Sequence, residues 1–280
     1  MNNKSTMQIL KHFRVQDKNK ALHKLNKIIN EGKDKLHLLA DFDRTLTTGK
    51  DKTGRDVTSW NILTKLLPPK AFTKQQKLYE KYRPLEASGK MSSEIATSWA
   101  NQVLKIIVES EINFLRIEKG FSQKTSIRPH AKRILDICNA LEIPTVILSA
   151  GIKDVIDLWL KTYQVSPSLI LATKLITDKN GKIINWNKNI VHVKNKKEHG
   201  HEELTKIRKQ RPNIILIGDA IEDADMAEGE ENVLRIRVFN PREDEEFNQE
   251  DFVKNTFEKY DLMIENGTLE PVLRILEQIK

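Results

Sequence analysis

Two carboxylates stand two residues apart at the end of a short apolar run. Leu36 to Ala40 is followed by Asp41-Phe42-Asp43 and then by the polar stretch Arg44-Thr45-Leu46-Thr47. The run reads as a buried strand. Strand alternation puts Asp41 and Asp43 on one side and Phe42 on the other. Like charges this close repel unless a cation, a shared proton or full solvation relieves them. A hard divalent ion such as Mg2+ suits oxygen ligands of this kind. One carboxylate can then attack an electrophile while its neighbour moves a proton. A bare D-x-D also closes strands as an Asx-type turn. The longer string D-x-D-x-T-L-T is more specific, and its meaning depends on whether matching strings occur further along the chain.

Two further strand ends carry polar groups. Ile147-Leu148 runs into Ser149-Ala150-Gly151 just before a helix, so Ser149 Oγ and nearby N–H groups could meet a phosphate. A plain strand-to-helix N-cap would look the same. Ile214 to Ile217 runs into Gly218-Asp219-Ala220-Ile221-Glu222-Asp223, with Gly218 expected to let the backbone turn tightly. Three polar-tipped elements of one sheet, two of them bearing carboxylates, need a shared reason, and Asp219 is read as a metal ligand. Glu222, Asp225 and Glu228 are read as solvated acids. The run Val193-Lys194-Asn195-Lys196-Lys197 offers the cation that a phosphoryl-transfer site needs opposite its metal.

The elements that must position these groups alternate. A helix over Asp17 to Glu31, stopped by Gly32, precedes the first strand. A polar loop over Gly49 to Asp56 follows it, then a region without strand signal until about Ser126. That region holds Trp60, Leu63 and Leu67 at helical spacing, a helix over Thr73 to Tyr82, and a helix carrying Met91, Ile95, Trp99 and Val103 four apart. Beyond Arg128, helices over Pro129–Leu141, Lys153–Tyr163 and Glu202–Gln210 alternate with strands over Pro144–Leu148, Ser168–Ala172 and Asn213–Ile217. A hairpin spans 174–193, turning at Asp178-Lys179-Asn180-Gly181. A short helix near Asp223, a strand over Val233–Phe239, an acidic loop, a helix near Gln249–Phe257, a strand over Tyr260–Ile264 and a last helix, Leu269–Ile279, complete the chain. This is an α/β pattern: a parallel sheet covered on both faces, with ligands at the carboxyl ends of its strands.

Composition narrows the class. The 280 residues, 39% hydrophobic and 31% charged, describe a globular protein with room for a large core or a core with an inserted module. No apolar run reaches transmembrane length, and Met1 to Gln8 lacks the apolar segment of a secretory signal, so no membrane is expected. The single cysteine, Cys138, excludes an intrachain disulfide and reads as packing in an apolar helix; a cytoplasmic location is expected. The net charge of +8 favours anionic partners. A nucleic-acid-binding relative with a vestigial catalytic core is one reading of that charge. It is opposed by the intact carboxylates and by the lack of basic patches interleaved with aromatics, so no nucleic acid is expected.

Taken together, these strings resemble the haloacid dehalogenase (HAD) superfamily of phosphohydrolases and, more narrowly, its cytosolic pyrimidine 5′-nucleotidase family. The resemblance runs over Asp41 to Thr47, Glu80-Lys81-Tyr82-Arg83-Pro84-Leu85-Glu86, Ile143 to Ile152, Val191 to Lys196, Gly218 to Asp223 with Met226-Ala227, and Tyr260-Asp261-Leu262. It implies a Rossmann-like core over 1–48 and 126–280 with a helical cap over 49–125 inserted after the first strand. By this resemblance Asp41 is the nucleophile of an aspartyl-phosphate mechanism, and Asp43 the acid that protonates the leaving 5′-oxygen and then activates water. Asp41 and Asp219, with the Asp43 carbonyl, are Mg2+ ligands; Ser149 with Ala150 and Gly151, and Lys196, hold the phosphoryl group. Asp223 is the supporting acid, Glu86 reads the base from the cap, and Trp99 is the best aromatic candidate beside it. The implied substrate is a nucleoside 5′-monophosphate, pyrimidine-bearing by family; another small phosphomonoester such as phosphoserine is the competing expectation. The family's G-D-S-x-G-D is Gly-Asp-Ala-Ile-Glu-Asp here.

Overall fold

A computed structural model describes residues 3–51, 54, 56–120, 126–197, 201–240 and 248–280. Helices α1 (Asn3–Leu10) and α2 (Lys18–Glu31) precede strand β1 (Leu36–Ala40). Four helices follow: α3 (Ser59–Thr64), α4 (Pro69–Ala87), α5 (Ser93–Glu109) and α6 (Phe114–Gly120). Helix α7 (Ala131–Ala140) then leads into β2 (Thr145–Ile152), α8 (Lys153–Thr162) and β3 (Leu169–Thr173). The hairpin of β4 (Leu175–Thr177) and β5 (Ile183–Trp186) precedes α9 (Glu202–Gln210), β6 (Asn213–Gly218) and β7 (Val233–Val238). Helix α10 (Gln249–Lys259), β8 (Leu262–Ile264) and α11 (Glu270–Leu276) close the chain. The expected acidic loop falls on 241–247, outside the described residues.

Six strands form one parallel sheet in the order β3-β2-β1-β6-β7-β8. Every residue of β1 is buried, as a strand covered on both faces requires. Its alternation separates two cores: Leu36, Leu38 and Ala40 pack with Ile147, Ile215 and Ile217, whereas Leu39 packs with Val146, Leu148, Ile214 and Leu216. Connections run outward from β1 to β2 and β3, then return to β6 on its other side. The β1/β6 boundary is therefore the topological switch point, where such sheets open a crevice at their carboxyl ends.

Register decides what enters that crevice. Ala40 pairs with Ile147 and with Ile217, so β1, β2 and β6 deliver Asp41, Ser149 and Asp219 to one end of the sheet. The β2–β3 register shifts between Leu148 and Ile152, so Ser149 to Gly151 lie inside β2, at an irregularity, rather than after the strand as expected. A second expectation also changes. Residues 42–46 form a turn closed by Thr47 N–H on Phe42 O at 3.2 Å, not a strand continuation, with Asp43 extended and Arg44 left-handed inside it. Phe42 packs edge-on against Trp159 of α8, with ring centroids 5.1 Å apart.

The helices between β1 and α7 divide their allegiance. Helix α3 packs on β2 and α8; α4 and α5 pack on each other, and α5 also on β5. Helix α4 is longer than its periodicity suggests, running from Pro69 at its first position, where no N–H is needed, through Pro84 to Ala87. Proline at 84 costs one hydrogen bond close to the helix end, and the buried side chains of Tyr82 and Arg83 anchor that turn. Glu86 therefore lies on α4 itself and not between two helices. Helices α1 and α6 have no clear periodic signal in the sequence.

Candidate active site

The turn after β1 is held in an unusual shape. Arg44 adopts φ 67°, a left-handed conformation that costs a non-glycine residue energy. Compensation comes from buried Arg128, which donates to the carbonyls of Arg44 (2.5 Å) and Thr45 (2.7 Å), and from Asn240 Nδ2, which donates to Arg44 O at 2.8 Å. Thr47 Oγ1 accepts from Arg44 N at 2.9 Å, and Thr45 Oγ1 donates to Asp219 Oδ1 at 3.3 Å. The threonines of the D-x-D-x-T-L-T string thus close the turn and tie it to β6.

Asp41 and Asp43 emerge with separate partners. Asp41 Oδ1 accepts from Lys196 Nζ at 2.5 Å, and the same ammonium reaches Asp223 Oδ1 at 2.7 Å. Lys194 pairs instead with Glu222 at 3.2 Å, and Lys197 with Glu228. Of the three lysines, Lys196 alone is directed into the acidic centre. Burial opposes its charge, but Asp223 and Asp41 outweigh burial and raise its pKa. Burial likewise raises the Asp41 pKa; Lys196 lowers it, and the charges of Asp223 and Asp219 raise it further. The 2.5 Å contact pairs Lys196 with Asp41, and the surplus of carboxylate charge around it is what burial penalises.

That surplus defines a cation site. Asp41, Asp219 and Asp223 offer carboxylate oxygens within 4.8 Å of one another. Among the described residues, Lys196 and Arg44 stand against them, with Arg44 Nε 3.4 Å from Asp219 Oδ2. An all-oxygen set with excess negative charge fits a hard divalent ion. Asp223 also staples its own loop, accepting from Asp219 N (3.1 Å) and Ala220 N (3.0 Å). Gly218 permits this by close approach rather than by the tight turn expected of it: a methyl there would collide with Asp223 Cβ and sit 2.7 Å from Oδ2.

Asp43 is gripped by Ser59, the first residue of α3. Ser59 Oγ donates to Oδ2 at 2.6 Å, and Ser59 N–H reaches Oδ1 and Oδ2 at 3.0 and 3.1 Å. Burial pushes the Asp43 pKa up to about 6, with the Ser59 hydrogen bonds restraining it. Ser149 Oγ is buried beside them and accepts from Gly151 N at 3.1 Å, while Ala150 O accepts from Trp60 Nε1 at 2.9 Å.

One cavity of about 530 Å³ joins this acidic end to the helices α4 and α5. Its far wall includes Tyr79, Arg83, Glu86, Met91 and Trp99. Trp99 stacks on Tyr82, with ring centroids 5.7 Å apart and planes inclined 23°. Arg83 Nη1 donates to Glu86 Oε2 at 2.6 Å. Asp41, Asp43, Glu86, Ser149, Ala150, Gly151, Lys196, Asp219 and Asp223 all line this cavity. Sequence reasoning does not single out Ser59, Arg83, Arg44 or Arg128. Arg83 stands three residues before Glu86 on one helix, a spacing that could have paired them; nothing local marks Ser59 or Arg128.

An acidic crevice at the switch point of a parallel sheet, entered from a helical insertion, defines a phosphatase of the HAD fold. Solved structures agree on that fold. A cytosolic 5′-nucleotidase IIIB bound to cytidine matches 99% of this chain and 97% of its own, at a TM-score of 0.84 and 21% identity. A substrate-bound phosphoserine phosphatase matches 89% of this chain and 99% of its own, at 0.58 and 16%. Residues 44–280 match the model of the pyrimidine 5′-nucleotidase (UMPH-1) family, and the chain belongs to that family of phosphoric monoester hydrolases. The match begins at the residue after Asp43. Similar proteins include the 7-methylguanosine phosphate-specific 5′-nucleotidase A of Xenopus laevis, 25% identical over 279 residues and 94% of each chain. The 7-methylguanosine phosphate-specific 5′-nucleotidase of Rattus norvegicus is 26% identical over 293 residues, 97% of this chain and 94% of its own.

Proposed function

We propose that this chain hydrolyses nucleoside 5′-monophosphates, with Asp41 as nucleophile and the helical insertion over 49–125 as the cap that receives the nucleoside. The carrying observation is one continuous cavity with an acidic and cationic end and an aromatic, polar end on α4 and α5. The names of the relatives support a nucleotide substrate.

Asp41 carboxylate attacks phosphorus, and the bond to the 5′-oxygen breaks as Asp43 gives that oxygen its proton. Water then attacks the phosphorus of phosphorylated Asp41 while Asp43 takes the proton back, releasing inorganic phosphate and restoring Asp41. Lys196 and Ser149 face the phosphoryl oxygens, where a fixed charge gains in value as negative charge shifts in the transition state. Asp41, Asp219 and the Asp43 carbonyl, supported by Asp223, are the groups that would hold Mg2+. When bound, the ion supplies charge neutralisation of the phosphoryl group.

Glu86 carries its own salt bridge to Arg83, so the base end offers paired charges rather than a bare carboxylate. A neutral pyrimidine, with carbonyl and N–H groups on one edge, suits that pair better than the cationic 7-methylguanine ring. The site of action is taken to be the cytoplasm, given the one buried thiol.

Phosphate release from UMP, CMP, 7-methylguanosine monophosphate and phosphoserine, with and without Mg2+, tests this reading. The pyrimidine nucleotides are expected to give the highest kcat/KM. Preference for phosphoserine overturns the nucleotide assignment, and preference for 7-methylguanosine monophosphate overturns the reading of Arg83.

A further inference from the structure

We infer that Ser59 is a positioning residue that aims one particular oxygen of Asp43, Oδ1, at the leaving group. The inference rests on the proposed roles of Asp41 and Asp43 and adds a residue to them. Among the described residues, Ser59 supplies the hydrogen bonds to the Asp43 carboxylate: Oγ–H to Oδ2 at 2.6 Å and N–H shared between Oδ1 and Oδ2 at 3.0 and 3.1 Å. Oδ2 therefore takes the hydroxyl and a share of the N–H, and Oδ1 only a share of the N–H, which leaves Oδ1 the capacity to carry and deliver a proton.

Ser59 is itself fixed from both sides. Its Oγ accepts from Ile152 N at 3.0 Å, so its hydrogen is not needed there and is donated to the Asp43 carboxylate. Thr58 Oγ1 accepts from Asn61 N at 3.2 Å and sets the start of α3, while Trp60 Nε1 clamps the same helix to Ala150 O. Ser59 is fully buried, so no water replaces it. Gly151 completes the arrangement. A methyl at 151 would collide with Ser59 Oγ and stand 2.8 Å from Asp43 Oδ2 and 3.2 Å from Ser149 Oγ. On this view Gly151 acts by leaving room for the Ser59–Asp43 contact. One hydroxyl so links the start of the helical insertion, the proton donor and the end of β2.

In the first step the Asp41–phosphorus bond forms, the phosphorus–oxygen bond to the leaving group breaks, and the Oδ1 proton passes to that oxygen. A nucleoside alkoxide needs this proton as it departs; a p-nitrophenolate does not. The experiment compares kcat/KM for UMP and for p-nitrophenyl phosphate, because kcat/KM reports the steps up to leaving-group departure. For Ser59→Ala the value is expected to fall roughly a hundredfold with UMP and at least tenfold less steeply with p-nitrophenyl phosphate. Gly151→Ala should give the same pattern with the hydroxyl still present, which keeps the test open should Ser59→Ala fail to fold. Equal losses on the two substrates in both variants, or no loss on UMP, overturn the proposal. If wild type hydrolyses p-nitrophenyl phosphate but no nucleotide, the substrate reading fails and β-glycerophosphate replaces UMP as the poor-leaving-group ester.

Discussion

At the scale of single residues, the acidic centre divides its labour by partner. Asp41 faces Lys196 and two carboxylates, whereas Asp43 faces Ser59. Asp41→Asn keeps size and shape but offers a poor nucleophile, so phosphate release should fall below about one thousandth of wild type while circular dichroism stays unchanged. Lys196 is buried between two carboxylates, and Lys194 and Lys197 pair outside that centre. Lys196→Ala is expected to lower kcat by roughly a hundredfold or more, because a fixed positive charge in a dry site is worth a few kcal/mol in the transition state. Lys194→Ala should change it by less than about threefold, since its partly solvated pair with Glu222 lies outside the acidic centre. A larger loss in Lys194→Ala would shift the assignment to that residue.

At the scale of elements, the question is how the helical insertion meets the core. Thr97 on α5 and His192, in the loop that leads to Lys196, lie 2.9 Å apart through His192 Nε2. Lys194 N donates to His192 Nδ1 at 3.2 Å, so Nδ1 is the acceptor and Nε2 carries the hydrogen to Thr97 Oγ1. Thr97 in turn donates to Ser93 O at 2.8 Å. This chain of bonds needs a neutral imidazole, and burial lowers the His192 pKa below its ordinary 6.5. Folding therefore favours the deprotonated ring. Its contribution is complete above the ordinary pKa and is lost as pH falls from there through the lower folded value. The urea midpoint of wild type should thus drop more between pH 7.5 and pH 5 than that of His192→Gln, whose side chain does not titrate. Parallel declines in the two proteins would remove His192 from this role. On the neighbouring helix, Glu86→Ala should raise KM for nucleotides severalfold and blur selection among bases, with p-nitrophenyl phosphate turnover near wild type. Unchanged base selectivity would contradict a reading role for Glu86.

For the whole molecule, binding and folding are linked at the switch point, because Asp41 and Asp219 belong to different strands that only the folded sheet brings together. An ion bound there and not by the unfolded chain stabilises the fold, by about 2.7 kcal/mol at one hundred times its Kd. Thermal unfolding should therefore shift upward by several degrees on adding Mg2+ and return on adding a chelator. Asp219→Asn should abolish most of the shift. A melting temperature indifferent to Mg2+ in wild type would argue against the acidic cluster as its site.

The carboxyl ends of β1, β2 and β6 were legible in the chain because each is an apolar run that stops at a short polar string. Asp41 with Asp43, Ser149 with Gly151, and Asp219 with Asp223 are each close in sequence, and burial on both faces makes their strands read as largely apolar segments. Helices α2 and α9 were legible for the same local reason, from amphipathic spacing and, in α2, a stopping glycine. What the strings left open was which groups would touch. Ser59 reaches Asp43 across the turn at Phe42–Leu46, and that turn is held by Arg128 and Asn240, both far along the sequence, through its carbonyls. Glu86 sits on a helix despite Pro84 because buried Tyr82 and Arg83 stabilise a turn that propensity alone disfavours. Gly151 and Gly218 look like turn residues in the chain, yet they act by absence, leaving space for Ser59 and Asp223. Chemistry-bearing residue types and their spacing are properties of the chain; which oxygen faces which donor depends on close packing between distant segments, and only the tertiary structure decides it.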